Sequence, residues 1–166
     1  IIERSLRHQG LASLKEMTYL MRQPQKKLIN KSLEELVEEK KVEKTKVRNL
    51  EEDYYLLPPS LQTITSPARV RIFSPFDNLV IQRKRLLDFF GLDYQIECYV
   101  PEKKRKFGYF CLPIFNGTRP IALLDAKVHR KEQRFEIKIL HFLGPRPSAT
   151  LKKKVHREID RFTNFN

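Results

Sequence analysis

The 166-residue sequence predicts an α+β protein in two parts: a small helical unit closed by a hairpin, then a larger basic unit built on an antiparallel sheet. Three observations point there. Apolar residues recur at helical spacing in the first part of the chain. A Pro58-Pro59 pair then interrupts the pattern. Beyond it, short alternating runs separated by turn residues read as strands.

In the first part, Gly10 ends an opening helix by taking a left-handed conformation. Ser13-Leu14-Lys15-Glu16 fits a capping box for a second helix, followed by Leu14, Met17 and Met21 at helical spacing. Arg22-Gln23-Pro24-Gln25 breaks that helix. A third helix turns Leu28, Ile29, Leu33, Leu36 and Val37 inward. A strand over 42–47, a turn near Asn49 and a second strand ending in Tyr54-Tyr55-Leu56-Leu57 complete a hairpin. Three short helices closed by a hairpin is the pattern of a winged helix. Its third helix offers Gln25, Lys26, Lys27, Asn30 and Lys31 to a nucleic-acid backbone, but Glu34, Glu35, Glu38 and Glu39 follow and repel phosphates. A structural or interaction role for this unit fits the same pattern.

After the double proline, residues 68–73 alternate Arg69 and Arg71 with Val70 and Ile72, as an edge strand does. Residues 78–90 fit a helix with Leu79, Val80, Leu86, Leu87 and Phe90 on its apolar side, ended by Gly91. Strands are expected over 94–100, 107–112, 120–128 and 134–142, with Asn116-Gly117 as a turn. A final helix over 149–162 carries Leu151, Val155, Ile159 and Phe162 on one stripe. The expected organisation is a winged helix over 1–57 and, over 58–166, a curved antiparallel, barrel-like sheet braced by helices.

Charge is the strongest compositional signal. The chain carries 33 Lys+Arg against 20 Asp+Glu, a net +13. Residues 1–60 hold 12 basic and 10 acidic residues, whereas residues 61–166 hold 21 and 10. Such a field draws phosphate polymers and makes binding salt-dependent; a merely soluble basic surface is the alternative. No apolar run approaches the ~20 residues of a membrane span. The opening Ile1-Ile2 reads as part of a longer protein. Cys98 and Cys111 lie in apolar, strand-like contexts and read as buried thiols of a reducing cytosol. No metal-ligand spacing is present and no cofactor is expected.

Several short motifs admit two readings. Asp77 precedes a helix and can cap it, although a catalytic carboxylate is the alternative. Arg83, Lys84 and Arg85 are consecutive, so on a helix they spread over a wide arc and cannot converge on one phosphate. Lys84 can pair with Asp88. Lys103, Lys104, Arg105 and Lys106 form a basic loop feeding Phe107-Gly108-Tyr109-Phe110, and cations beside aromatics suit base stacking. This loop is expected to outrank the third helix as a DNA contact. Asp125-Ala126-Lys127 resembles half of a nuclease metal site that Glu136 would complete. Lys152, Lys153, Lys154, Arg157 and Arg161 cover the outer face of the last helix, with Lys153, Arg157 and Arg161 on one stripe.

The run Ser74-Pro75-Phe76-Asp77, then Arg83, Phe89-Phe90-Gly91, Tyr94, Tyr99-Val100-Pro101 and Tyr109, resembles the C-terminal signature of winged-helix DNA glycosylases of the YcaQ/AlkZ type, which unhook interstrand crosslinks. The resemblance extends over the winged helix before it and the Leu124-Asp125-Ala126-Lys127 strand after it. It implies a cytoplasmic, nucleoid-associated repair protein that cradles duplex DNA, damaged or crosslinked, between tandem winged helices and a C-terminal β-barrel-like domain. The family's catalytic pair, Gln-X-Asp or His-X-Gln, lies in an N-terminal portion and is absent here. Gln95-Ile96-Glu97 is the nearest match, inside the C-terminal signature. The chain is therefore expected to bind DNA and to be inactive alone. The DNA-contacting candidates are Lys26, Lys27, Lys31, Arg69, Arg71, Arg83, Lys84, Arg85, Lys103, Lys104, Arg105, Lys106, Tyr109, Lys153, Arg157 and Arg161. A stand-alone winged-helix nucleic-acid protein and a metal nuclease using Asp125 and Lys127 are the alternatives.

Overall fold

A computed structural model of the chain describes residues 1–58 and 68–163. The chain divides into two compact units, Ile1–Ile64 and Thr65–Asn166.

The first unit contains α1 (Ile2–Gln9), β1 (Leu11–Ser13), α2 (Leu14–Met17), α3 (Gln23–Glu38), β2 (Glu43–Lys46) and β3 (Asp53–Leu56). Gly10 stops α1 at a φ of 72°. The capping box forms as read: Glu16 N–H donates to Ser13 Oγ at 3.3 Å, and Ser13 N–H donates to the Glu16 carboxylate at 2.8 Å. Pro24 does not break a helix but opens α3, because a proline in the first turn sacrifices no intrahelical bond. Ile29 and Leu33 of α3 bury against Ile2, Leu6, Met17 and Val42. Leu28, expected inward, is exposed and borders a groove beside α1. The three-residue β1, too short to show alternation, pairs with β3 and gives the antiparallel order β1-β3-β2.

The second unit contains β4 (Val70–Ile72), α4 (Arg83–Phe90), β5 (Cys111–Asn116), β6 (Arg119–His129), β7 (Arg134–Phe142) and α5 (Ala149–Thr163). All neighbours in the order β4-β5-β6-β7 are antiparallel. Among the described residues the sheet is open, with β4 and β7 as edges, so the expected barrel-like closure is not formed. Register shifts at Ile114/Phe115 and Asp125/Ala126 mark bulges, which bend strands and add twist. Leu123 packs with Val80, Leu86 and Tyr94, whereas its neighbours Ala122 and Leu124 pack with Val155 and Ile159. Successive strand residues face opposite ways. The α4 region and α5 therefore cover opposite faces, which is why β5 and β6 are apolar in nearly continuous runs.

Three expected elements change. Residues 94–100 form no strand. Leu92 and Tyr94 are buried in alternation, but the segment packs through side chains, and the Tyr94 hydroxyl donates to the Cys111 carbonyl at 2.6 Å. The strand expected over 107–112 starts only at Cys111, because the preceding amides bond to side chains. The helix expected from residue 78 starts at Arg83. Asp77 thus closes a turn ahead of the helix: Leu79 N–H donates to its Oδ1 at 2.8 Å, and Val80 and Ile81 N–H donate to its carbonyl. Leu87 and Phe162, read as core, are exposed. Cys98 lies half-buried off any strand, and Cys111 is buried. Burial, with the Asp125 and Glu97 charges added, pushes the Cys111 thiol up to about 12. No helix among the described residues is long and apolar enough to cross a membrane.

Candidate nucleic-acid interface

The second unit holds a cleft of about 1110 Å³ over the α5 side of its sheet. Three pieces of chain form its walls. Arg69 immediately precedes β4 and Arg71 is its middle residue, where alternation turns Val70 into the core and leaves both arginines exposed. Arg130, Gln133 and Arg134 come from the β6–β7 connection, a 3-10 turn over Arg130–Glu132 followed by Gln133 at a φ of 47°. Arg161 and Phe162 come from the last turn of α5, whose Val155 and Ile159 anchor the helix to the sheet. Five guanidinium groups thus share a concave surface with two acids, Asp77 and Glu158. Arg134 is partly neutralised by Glu132 at 3.2 Å and Glu136 at 3.9 Å. Arg69, Arg71 and Arg161 were legible in the sequence as cations on an edge strand and a helix stripe. Arg130 and Arg134 were missed; a charged turn between two expected strands was the signal available.

A second basic feature is built on two buried carboxylates. Glu97 is 3% exposed and accepts the amides of Lys106, Phe107 and Gly108 at 2.8–3.3 Å. Burial pushes its carboxyl upward, but the three backbone donors outweigh that and hold it below the usual range. Asp125 is 5% exposed and accepts Tyr109 N–H at 2.6 Å and Phe110 N–H at 3.4 Å. It sits opposite Cys111, so its carboxylate continues the ladder beyond the end of β5. Arg105 Nε donates to the Val100 carbonyl at 2.8 Å, and its guanidinium lies 5.0 Å from the Tyr109 ring centre. The result is a pinned loop that exposes Lys103, Lys104 and Lys106, with Tyr99 and Tyr109 also exposed.

These contacts redefine several candidates. Gln95-Ile96-Glu97 is no catalytic pair in this geometry, because the Glu97 carboxylate is committed to backbone amides. Asp125 is likewise committed, and Glu136, its expected partner in a nuclease site, bonds to His129 at 2.6 Å. Among the described residues no group of three or more His, Cys, Asp and Glu is placed to hold a metal ion. Arg83, expected to face DNA or solvent, turns inward: it donates to the carbonyls of Pro75 and Val80 and lies 4.8 Å from the Tyr94 ring centre. Ser74-Pro75-Phe76-Asp77 and Tyr94 are thereby tied to α4. Lys84 pairs with Asp88 as read, and Arg85 stacks 4.9 Å from the Phe89 ring centre. Lys153 and Arg157 are exposed on α5. Lys27 and Lys31 are exposed on α3 of the first unit, with Lys26 half-buried.

Fold and site define a basic α+β protein whose second unit concentrates cations in a concave surface suited to phosphate. The chain belongs to the AlkZ-like DNA glycosylase family: the family model described as "DNA glycosylase AlkZ-like" matches residues 1–165. Membership brings a DNA-repair, glycosylase-related function, with DNA as partner. No solved structure matches the chain.

Proposed function

We propose that the chain is the DNA-cradling, non-catalytic portion of a crosslink-repair glycosylase-like protein. In this reading residues 1–57 are a winged helix and residues 58–166 a basic domain that lies along duplex DNA. The parent reaction is hydrolysis of the N-glycosidic bond of a damaged base, carried out by an N-terminal catalytic portion of the same protein. The observation that carries the reading is the five-arginine cleft in the unit that holds most of the net charge. The sheet order β1-β3-β2, with α2 and α3 between β1 and β2, supports the winged helix. The exposed lysines of the pinned loop extend the basic surface, whereas α3 carries its glutamates beside its lysines.

A titration of labelled duplex DNA at several salt concentrations tests this. Each phosphate neutralised contributes about −0.9 to the slope of log affinity against log salt. The expected result is weak binding without sequence preference and a slope steeper than about −3. An affinity independent of salt would contradict it.

A further inference from the structure

The cations lining the arginine cleft are of one kind. The sequence holds 15 arginines and 18 lysines, yet the cleft takes five of the first and none of the second. Lysines cluster instead at exposed positions outside the cleft lining, at Lys103, Lys104 and Lys106 and at Lys152, Lys153 and Lys154. A lysine is a hydrated point charge, sufficient to attract any phosphate. A guanidinium is a planar fork that grips phosphate with two bonds and also stacks on a flat ring.

The other lining groups point the same way. Phe162 is 45% exposed at the end of α5, and Phe135 also lines the cleft, half-buried. An accessible phenyl face among guanidinium groups gains nothing from a duplex backbone, because duplex bases are stacked on one another. It gains a partner from an unpaired base. Gln133 and Glu158 add amide and carboxylate groups of the type that read base edges. A cleft of about 1110 Å³ has room for a few nucleotides of one strand.

We propose that the cleft is a single-strand site, holding the phosphates of unpaired DNA with Arg69, Arg71, Arg130 and Arg161 and stacking a base on Phe162. The proposal rests on the reading that this unit binds DNA. It adds that strands separated at a lesion are held apart, one of them in this cleft.

Fluorescence anisotropy with a short labelled oligothymidine, and with the same strand annealed to its complement, tests it on the whole chain. Phe162→Ala is expected to weaken single-strand binding about 5- to 150-fold, the range for loss of one base–aromatic stack, and to weaken duplex binding far less. The double variant Arg69→Lys, Arg71→Lys keeps the net charge at exposed positions and is expected to lose single-strand affinity selectively. It also decides the matter should Phe162→Ala unfold the protein. Equal losses on both DNA forms, or none on either, would overturn the proposal. If the unmodified chain binds duplex but not single strand, this inference falls alone. If it binds neither, the proposed DNA-cradling function falls with it.

Discussion

Gly108→Ala is expected to destabilise the second unit by about 3–5 kcal/mol, a drop of roughly 15 °C or more in melting temperature for a unit of this size. Gly108 has a φ of 136°, a conformation that side chains rarely adopt and that costs about 1–3 kcal/mol to impose. A methyl group there would lie 2.8 Å from the Asp125 Cβ and closer still to its Oδ2. Asp125 must then retreat from the amides of Tyr109 and Phe110, and each buried amide left unpaired costs about 1–3 kcal/mol. The same loop depends on Glu97, and the sign of its pH dependence follows from its depressed carboxyl. The stabilisation is present above the ordinary glutamate range and is lost as the pH falls through the lower, folded-state value. Acid should therefore release the loop in the wild type, while Glu97→Gln starts lower and loses this part of the acid sensitivity. Thermal melts followed by circular dichroism at neutral and acid pH check both. A Gly108→Ala protein that melts with the wild type would show that the carboxylate knot does not hold the loop.

The second large effect concerns binding. Replacing Arg69, Arg71 and Arg161 together by alanine is expected to reduce DNA affinity on the order of 100-fold at 0.1 M salt and to flatten the salt slope by about 2.7. All three side chains are exposed, so folding should survive their loss. Replacing Lys152, Lys153 and Lys154 removes the same charge from a part of α5 outside the cleft lining. That control is expected to cost far less, because an isolated lysine face does not converge on a phosphate. Equal losses from the two triples would mean that net charge, and not the cleft, attracts DNA.

Local patterns in the sequence showed much of the fold. The Ser13/Glu16 capping box, the Gly10 and Gly91 helix ends, β6, β7 and α5 all follow from signals a few residues apart. Failures came where a distant partner decides. The 94–100 segment alternates like a strand but joins neither sheet, and instead turns Glu97 inward to collect amides from residues 106–108. An acid in the apolar run Tyr94–Val100 was the visible sign, but only the structure shows what it binds. The cleft is similar. Arg69 and Arg71 were read from one strand and Arg161 from one helix, whereas Arg130 and Arg134 join them only because β6 and β7 pair and return the chain to that side. Arg83 shows the opposite error: a cation in a basic triplet proved to be a tie between Pro75 and Tyr94.

Amide hydrogen exchange with and without a DNA duplex that carries a short unpaired stretch, resolved by peptide, tests the placement of DNA most directly. Protection is expected over residues 69–73, 128–135 and 158–163, which line the cleft, with weaker protection over 102–106 and little over α3. Protection concentrated on residues 23–31, with the cleft peptides unchanged, would show that DNA is read by the first unit and would contradict the assignment of the cleft.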